Sequence, residues 1–377
     1  MLDRRRILID GSMAAGGGGY TYLVNMLPTL ATLAPEAKIL VLVRNAKLVE
    51  ALSPLPNIEV RVLPKSKWLG RIAFLLFKAS RIANQWGADL YFSVGEYAPL
   101  KVSCPVVICL RNPNVFTSIK FDWSRYQKFR LATLRALATS AGKRAARVVF
   151  VSHDSASWMG DAAGIPGPRR AVIHHGADVD AWRAKLDSQP RGDSAGILSV
   201  SSIYRYKNFV RLVEAYCELA SRLPDPPPLT IVGDDQDPEY SAELRRVRKR
   251  AGPLADRIHL VGAVPYEEIT RYYAESALFV FPSYLETFGH PLLEALAAGV
   301  PVVAADIPVF REIAAESALY VDPFDSSAMA TAMEQALTDR ALADELVSAG
   351  QRRLELFTWQ LAAQRLAALL SDVVDEY

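Results

Sequence analysis

The chain has 377 residues, room for two domains of ordinary size, and 51% of them are hydrophobic against 22% charged. That composition fills two packed cores and excludes a disordered or fibrous chain. Net charge is only +2, yet residues 1–190 carry 26 Lys+Arg against 13 Asp+Glu while the remainder carries 17 against 28, so the first half is expected to meet an anionic partner, membrane or nucleic acid.

Asp3 and Arg4–Arg6 lead directly into an apolar run, without the stretch of a secretion signal, and nothing reaches the roughly 20 apolar residues of a membrane span. A cytoplasmic protein is expected. Short apolar runs then alternate with helix-length amphipathic stretches, the pattern of parallel sheets with crossover helices. Strands are predicted at Ile7–Asp10, Lys38–Val43, Glu59–Leu63, Leu90–Ser93, Val106–Leu110, Val148–Ser152 and Ala171–His174. A second series follows at Gly196–Ser201, Leu229–Gly233, Ile258–Gly262, Leu278–Pro282, Val302–Ala305 and Leu319–Val321. The polar, turn-rich segment 187–195 sits where the charge balance changes sign, and the domain junction is placed there. The reading is α/β, with two doubly wound domains at 1–188 and 189–357 and a last helix over 358–377. Ligands of such sheets bind at the carboxyl ends of the strands. Cys104, Cys109 and Cys217 form no CxxC pair and read as buried reduced thiols.

The most informative stretch runs from Leu278 to Val303. A buried strand ends at Pro282, a loop carries Glu286, Thr287 and Gly289, and a helix is expected from Pro291, since proline suits a first turn. The N–H groups and positive dipole end of that helix suit a phosphate, and carboxylates at Glu286 and Glu294 can accept from sugar hydroxyls. Taken singly, Glu294 can equally be a first-turn charge that complements the dipole, and Gly289 a plain turn.

The E-T-F-G-H-P-L-L-E of Glu286–Glu294 resembles the signature of the retaining glycosyltransferases of family 4, which have the GT-B fold. The continuation from Gly299 through Arg311-Glu312, the Ala318–Pro323 segment, and Phe357-Thr358-Trp359 are similar to that family too. So are Ser199–Asn208, Ile231–Gly233 and Ile258–Ile269, in the family's order. The resemblance implies two Rossmann-like domains facing across a cleft, an acceptor-binding one first and a nucleotide-sugar-binding one second, with the last helix packed back on the first. It implies a nucleoside diphosphate sugar as co-substrate, GDP-mannose favoured over UDP-sugars, and no metal or other cofactor. Glu294 would hold the ribose and Glu286 the sugar hydroxyls. Lys207 and the backbone around Phe288 and Gly289, flanked by Thr287 and His290, would hold the diphosphate. The family often has an arginine where Ser202 stands; Arg205 is close enough to substitute. Asp234-Asp235-x-Asp237 reads as a capped turn rather than a metal site.

In the first half, the glycine run at Gly16–Gly19 fails as a dinucleotide fingerprint, because Thr21 or Tyr22 falls on the third glycine. The resemblance makes it a loop over the cleft, with Gly17 and Gly18 approaching a substrate. Where many members carry a histidine, this chain has Arg111 and Asn112, candidates for diphosphate or sugar contact, and His153 follows a strand toward the same edge. His174 and His175 read as linker packing, and no histidine shows zinc spacing.

The stretch Lys65–Trp86 reads as one helix, apolar on one side and basic on another, and Lys120–Arg147 adds eight basic residues and one acid. Such helices lie on anionic membrane surfaces. No nucleic-acid reading motif accompanies them. The expected protein is thus a hexosyltransferase, peripheral on the inner face of the cell membrane, acting on a lipid-linked or glycan acceptor in polysaccharide synthesis. A catalytically degenerate nucleotide-sugar-binding subunit and a nucleotide-sugar epimerase of the same fold are the alternatives.

Overall fold

The structure is a computed structural model that describes residues 2–13, 18–52, 55–177, 179, 182, 184, 196–265 and 268–377. The chain divides into two compact units, Met1–Gly176 with Trp359–Tyr377, and Ala177–Thr358. The segment 187–195, where the sequence places the junction, lies outside the described residues.

The first unit is built on a seven-stranded parallel sheet in the order β3-β2-β1-β4-β5-β6-β7. Its strands are β1 (Arg6–Asp10), β2 (Lys38–Val43), β3 (Ile58–Val62), β4 (Leu90–Ser93), β5 (Val106–Leu110), β6 (Arg147–Phe150) and β7 (Arg170–Val172). The second unit has a six-stranded parallel sheet in the order β10-β9-β8-β11-β12-β13. It comprises β8 (Gly196–Val200), β9 (Leu229–Val232), β10 (Ile258–Gly262), β11 (Ser276–Phe281), β12 (Val302–Ala305) and β13 (Leu319–Val321). Helices cover both faces, so the central strands are apolar on both sides; Ile7, Leu8 and Ile9 are completely buried. The strand order reverses between β1 and β4 in one sheet and between β8 and β11 in the other. Each reversal opens a crevice at the carboxyl edge.

Strand ends differ from the sequence reading for local reasons. β6 stops at Phe150 because Ser152 caps the helix His153–Ala162, accepting from the Ser155 N–H at 3.0 Å. β11 starts earlier, at Ser276, where it pairs with Gly196. The stretch expected as one helix over 65–86 begins at Trp68, passes through a π segment at Phe74–Ala79, and ends at Trp86 before Gly87 (φ 68°). Helix Trp359–Glu376 packs within the first unit against helix Gly18–Leu33, burying Leu366, Leu370 and Val373.

Candidate active site

At the β8/β11 crevice, two loops are fastened to each other. The turn Arg205–Lys207 follows β8 and ends on Asn208, a non-glycine residue in the left-handed region (φ 65°). Asn208 is buried, and its amide donates to the carbonyls of Pro282 (3.2 Å) and Pro323 (2.6 Å). The Tyr206 carbonyl in turn accepts from Ser283 Oγ at 3.2 Å and the Tyr284 N–H at 3.0 Å. These bonds set the lysine turn against the loop that leaves β11. As a result Lys207 Nζ donates to Glu286 Oε1, and both side chains are only 11% exposed. An ion pair this sheltered is screened little by salt and is sensitive to loss of either partner.

Gly289 ends the same loop. Its φ of 96° is left-handed, and a Cβ there would sit 2.9 Å from Phe310 and 3.1 Å from Phe281. Both facts require glycine. It caps the helix His290–Ala298, with Pro291 in the first turn, so the helix begins one residue before the expected proline. Glu294 consequently lies beyond the first turn, which corrects the reading of it as a first-turn charge. It is buried, and the Tyr273 hydroxyl reaches both Glu294 Oε2 and the Pro291 carbonyl at 3.1 Å. Thr287 and Phe288 are buried, the latter against His290 and Phe357, and Ser202 is half-buried. The loop and the first helical turn together offer a carboxylate, an ammonium and the positive end of a helix dipole, groups that suit a sugar diphosphate.

Arg205 is directed elsewhere. Its guanidinium donates to Glu243 at 2.8 Å and lies over the Tyr240 ring; burial lowers its pKa, and the bond and charge of Glu243, with Asp237 and Tyr240, outweigh it and raise the pKa. Asp237 caps the helix Pro238–Arg250 and Asp235 accepts from Ser241 at 2.6 Å.

In the first unit, Gly17 lies outside the described residues and Gly18 opens the helix Gly18–Leu33. The Arg111 guanidinium donates to the Val94 carbonyl and covers the Tyr22 ring at 4.9 Å. Glu96 accepts from the N–H groups of Arg111 (3.3 Å) and Asn112 (3.0 Å), while the Asn112 side chain caps the helix Pro113–Phe116. His153 is exposed at the first position of its helix, with the His174 ring 5.7 Å away. Three residues escaped the sequence reading as individuals. Asn208 shows only an asparagine before an apolar helix, Glu96 only an acid after a strand, and Tyr273 nothing beyond helical spacing.

The family model described as glycosyl transferases group 1 matches residues 180–353, and that described as glycosyltransferase family 4 matches residues 16–181. The chain belongs to glycosyltransferase family 4. Among relatives in that family, mannosylfructose-phosphate synthase of Agrobacterium fabrum is 29% identical over 51% of this chain and 43% of its own length. A serotype-specific mannosyltransferase of Escherichia coli is 29% identical over 64% of this chain and 29% of its own. Phosphatidyl-myo-inositol mannosyltransferase of Mycobacterium tuberculosis is 25% identical over 67% of this chain and 66% of its own. The chain spans less than half the length of the first curated relatives it matches. Sucrose-phosphate synthase from Thermosynechococcus elongatus superposes with a TM-score of 0.76 at 20% identity, over 99% of this chain and 100% of that one. WaaG, a glycosyltransferase involved in lipopolysaccharide biosynthesis, superposes with a TM-score of 0.70 at 15% identity, over 97% and 99%. The fold is that of the GT-B members of the family.

Proposed function

We propose that the protein moves a hexose, mannose in preference, from a nucleoside diphosphate sugar to an acceptor hydroxyl with retention. The observation that carries this reading is the sheltered Lys207–Glu286 pair beside the start of helix His290–Ala298. As the glycosidic bond breaks, the leaving diphosphate gains charge. Lys207 and the helix N–H groups, held in place beforehand, stabilise that charge. Glu286 would accept from the sugar hydroxyls and Glu294 from the ribose. The acceptor attacks the face that the diphosphate leaves, and a diphosphate oxygen takes the acceptor proton. The residues supply the positive charge that a metal would otherwise bring, so the reaction is proposed to need none. Relatives named for mannose transfer support the sugar, and a solved relative in complex with UDP-glucose supports the class of co-substrate.

The acceptor is proposed to be a lipid-linked or other glycan, met at an anionic membrane surface. Leu69 and Phe77 are 64% and 71% exposed on the basic helical stretch, Phe129 is 65% exposed on helix Arg125–Arg144, and the Trp68 and Tyr126 rings join the two stretches at 6.4 Å. Exposed apolar side chains set among lysines and arginines suit an interfacial surface. Among the described residues no helix is long and apolar enough to cross a membrane.

The test is thermal shift of the protein against GDP, UDP, ADP and their sugars without added metal. A ligand at about 100 times its Kd stabilises by roughly 2.7 kcal/mol. One responding nucleotide, followed by turnover of its sugar on membrane lipids, is the expected outcome. Silence across the panel overturns the reading.

A further inference from the structure

The β1/β4 crevice of the first unit contains a different cluster. β1 ends at Asp10, which is buried; its Oδ1 accepts from the Ser12 N–H at 2.8 Å and its Oδ2 from the Tyr91 hydroxyl on β4. The Gly11 N–H donates to the Leu42 carbonyl at 2.9 Å, which brings Ser12 to the end of β2. Arg44 follows β2 and is only 8% exposed. Its guanidinium donates to the Pro64 carbonyl and lies over the Phe74 ring at 5.1 Å. Two atoms here have no hydrogen-bond partner although they are buried, Arg44 Nε and Ser12 Oγ. Arg71, whose Nε donates to the Ser66 carbonyl at 3.1 Å, is close enough to oppose the charge on Arg44. Burial first, and Arg71 next, lower the Arg44 pKa, with Asp10 acting the other way.

Arg44 thus has a second guanidinium near it, and the carboxylate that acts on it, Asp10, is already bonded to a hydroxyl and an amide. Buried polar atoms in folded proteins are nearly always paired, and a buried cation short of countercharge is costly. An anion with acceptor oxygens would partner both atoms, at the edge of an α/β sheet where ligands bind. Arginine matches phosphate in both charge and donor geometry.

We propose that Arg44, Ser12 and Arg71 form a phosphate site, with Arg44 Nε and Ser12 Oγ donating to its oxygens, and that the phosphate is an ester carried by the acceptor. Naming the ligand an acceptor rests on the transferase reading above; the phosphate site does not. A sugar phosphate and a lipid-linked phosphate present the same chemistry to these three residues.

Calorimetric titration with inorganic phosphate tests the site in the parent protein and in Arg44→Gln, Arg71→Gln and Ser12→Ala. Any phosphate held near Lys207 contributes equally to all four. Hydrogen bonds to charged groups are strong enough that Arg44→Gln is expected to weaken binding at least tenfold, and each of the other two about threefold to tenfold. If Arg44→Gln fails to fold, the other two, which remove less from the core, carry the comparison. A crystal soaked in selenate is expected to show the anion within hydrogen-bond distance of Ser12 Oγ and Arg44. Affinities within twofold of the parent for Arg71→Gln and Ser12→Ala, or selenate elsewhere, overturn the proposal. Two further arms, glucose 6-phosphate in solution and vesicles containing a polyprenyl phosphate, distinguish the sources. Dependence on Arg44 in either arm supports the site, and dependence in neither overturns its role toward an acceptor. The nucleotide panel on the same variants separates the two readings. Phosphate binding that depends on Arg44 without any nucleotide response defeats only the transferase reading, and a nucleotide response with unaltered phosphate affinity defeats only this one.

Discussion

At the β8/β11 crevice the buried cation Lys207 is already paired with Glu286, whereas at the β1/β4 crevice the buried cation Arg44 keeps an unpartnered Nε. The two edges share a topology and differ in what a ligand must do on arrival. At Lys207, on the proposed function, an incoming diphosphate would exchange with an internal carboxylate, so binding would be a difference between two ion pairs. At Arg44 an anion completes a set of donors. Internal pairing offsets the cost of burying both charges at the first site, at the expense of affinity. The second site gains stability only when filled.

The largest effect that would break this comparison is at Lys207. Lys207→Ala leaves Glu286 buried without a countercharge, and loss of one partner of such a pair costs about 3 kcal/mol or more. A lower Tm, loss of the nucleotide response and loss of turnover are expected together; a variant that binds nucleotide like the parent would show that Lys207 does not meet the diphosphate. Glu286→Gln sharpens the point, because it removes the competitor and leaves the ammonium in place. Turnover is expected to fall at least a hundredfold. Affinity for the nucleoside diphosphate should stay level or rise, by calorimetry, and a fall in affinity would mean that Glu286 supports the nucleotide itself.

Asn208 tests whether the ordering of the empty site comes from the loops rather than from the ion pair. Asn208→Ala loses both bonds to Pro282 and Pro323 and must still hold a left-handed backbone, for an expected loss of about 2 kcal/mol in denaturant unfolding. Asn208→Gly loses the bonds without the backbone strain and should fall between Asn208→Ala and the parent. Equal losses in the two variants would remove strain from the account.

What the sequence made legible follows the same physics. The strands of both sheets stand out because parallel strands covered on both faces are continuous apolar runs, as at Ile7–Ile9 and Phe279–Phe281. Their ends are less legible, since Ser152 reads equally well as the end of a strand and as a helix cap. The Glu286–Glu294 motif is visible because its chemistry is compressed into nine consecutive residues. The start of its helix is not, because Gly289 caps it through backbone conformation rather than through a capping side chain. Asn208 could not be read, because its partners are carbonyls 74 and 115 residues away. Arg205 shows the converse limit: closeness in sequence to Ser202 suggested that it could stand in for the arginine often found there, and its bond to Glu243, on another helix, is not visible in the sequence. The cluster around Arg44 has no motif at all, since it assembles from the ends of β1 and β2, from β4, and from the helix that starts at Trp68.

The smallest expected effect concerns the surface, where the comparison turns from buried charge to exposed charge. Phe77 and Phe129 contribute little to the core at 71% and 65% exposure, so Phe77→Ser with Phe129→Ser should leave Tm and the nucleotide response unchanged. Apolar insertion and basic attraction act together at an anionic interface, the first nearly independent of salt and the second screened within about 10 Å at 0.1 M. The double variant should therefore bind anionic vesicles several-fold more weakly than the parent, by about the same ratio at low and high salt, while both lose affinity as salt rises. Equal affinities of variant and parent at every salt concentration would mean that these rings do not enter the bilayer surface, and the exposed patch would then be a protein contact rather than a lipid one.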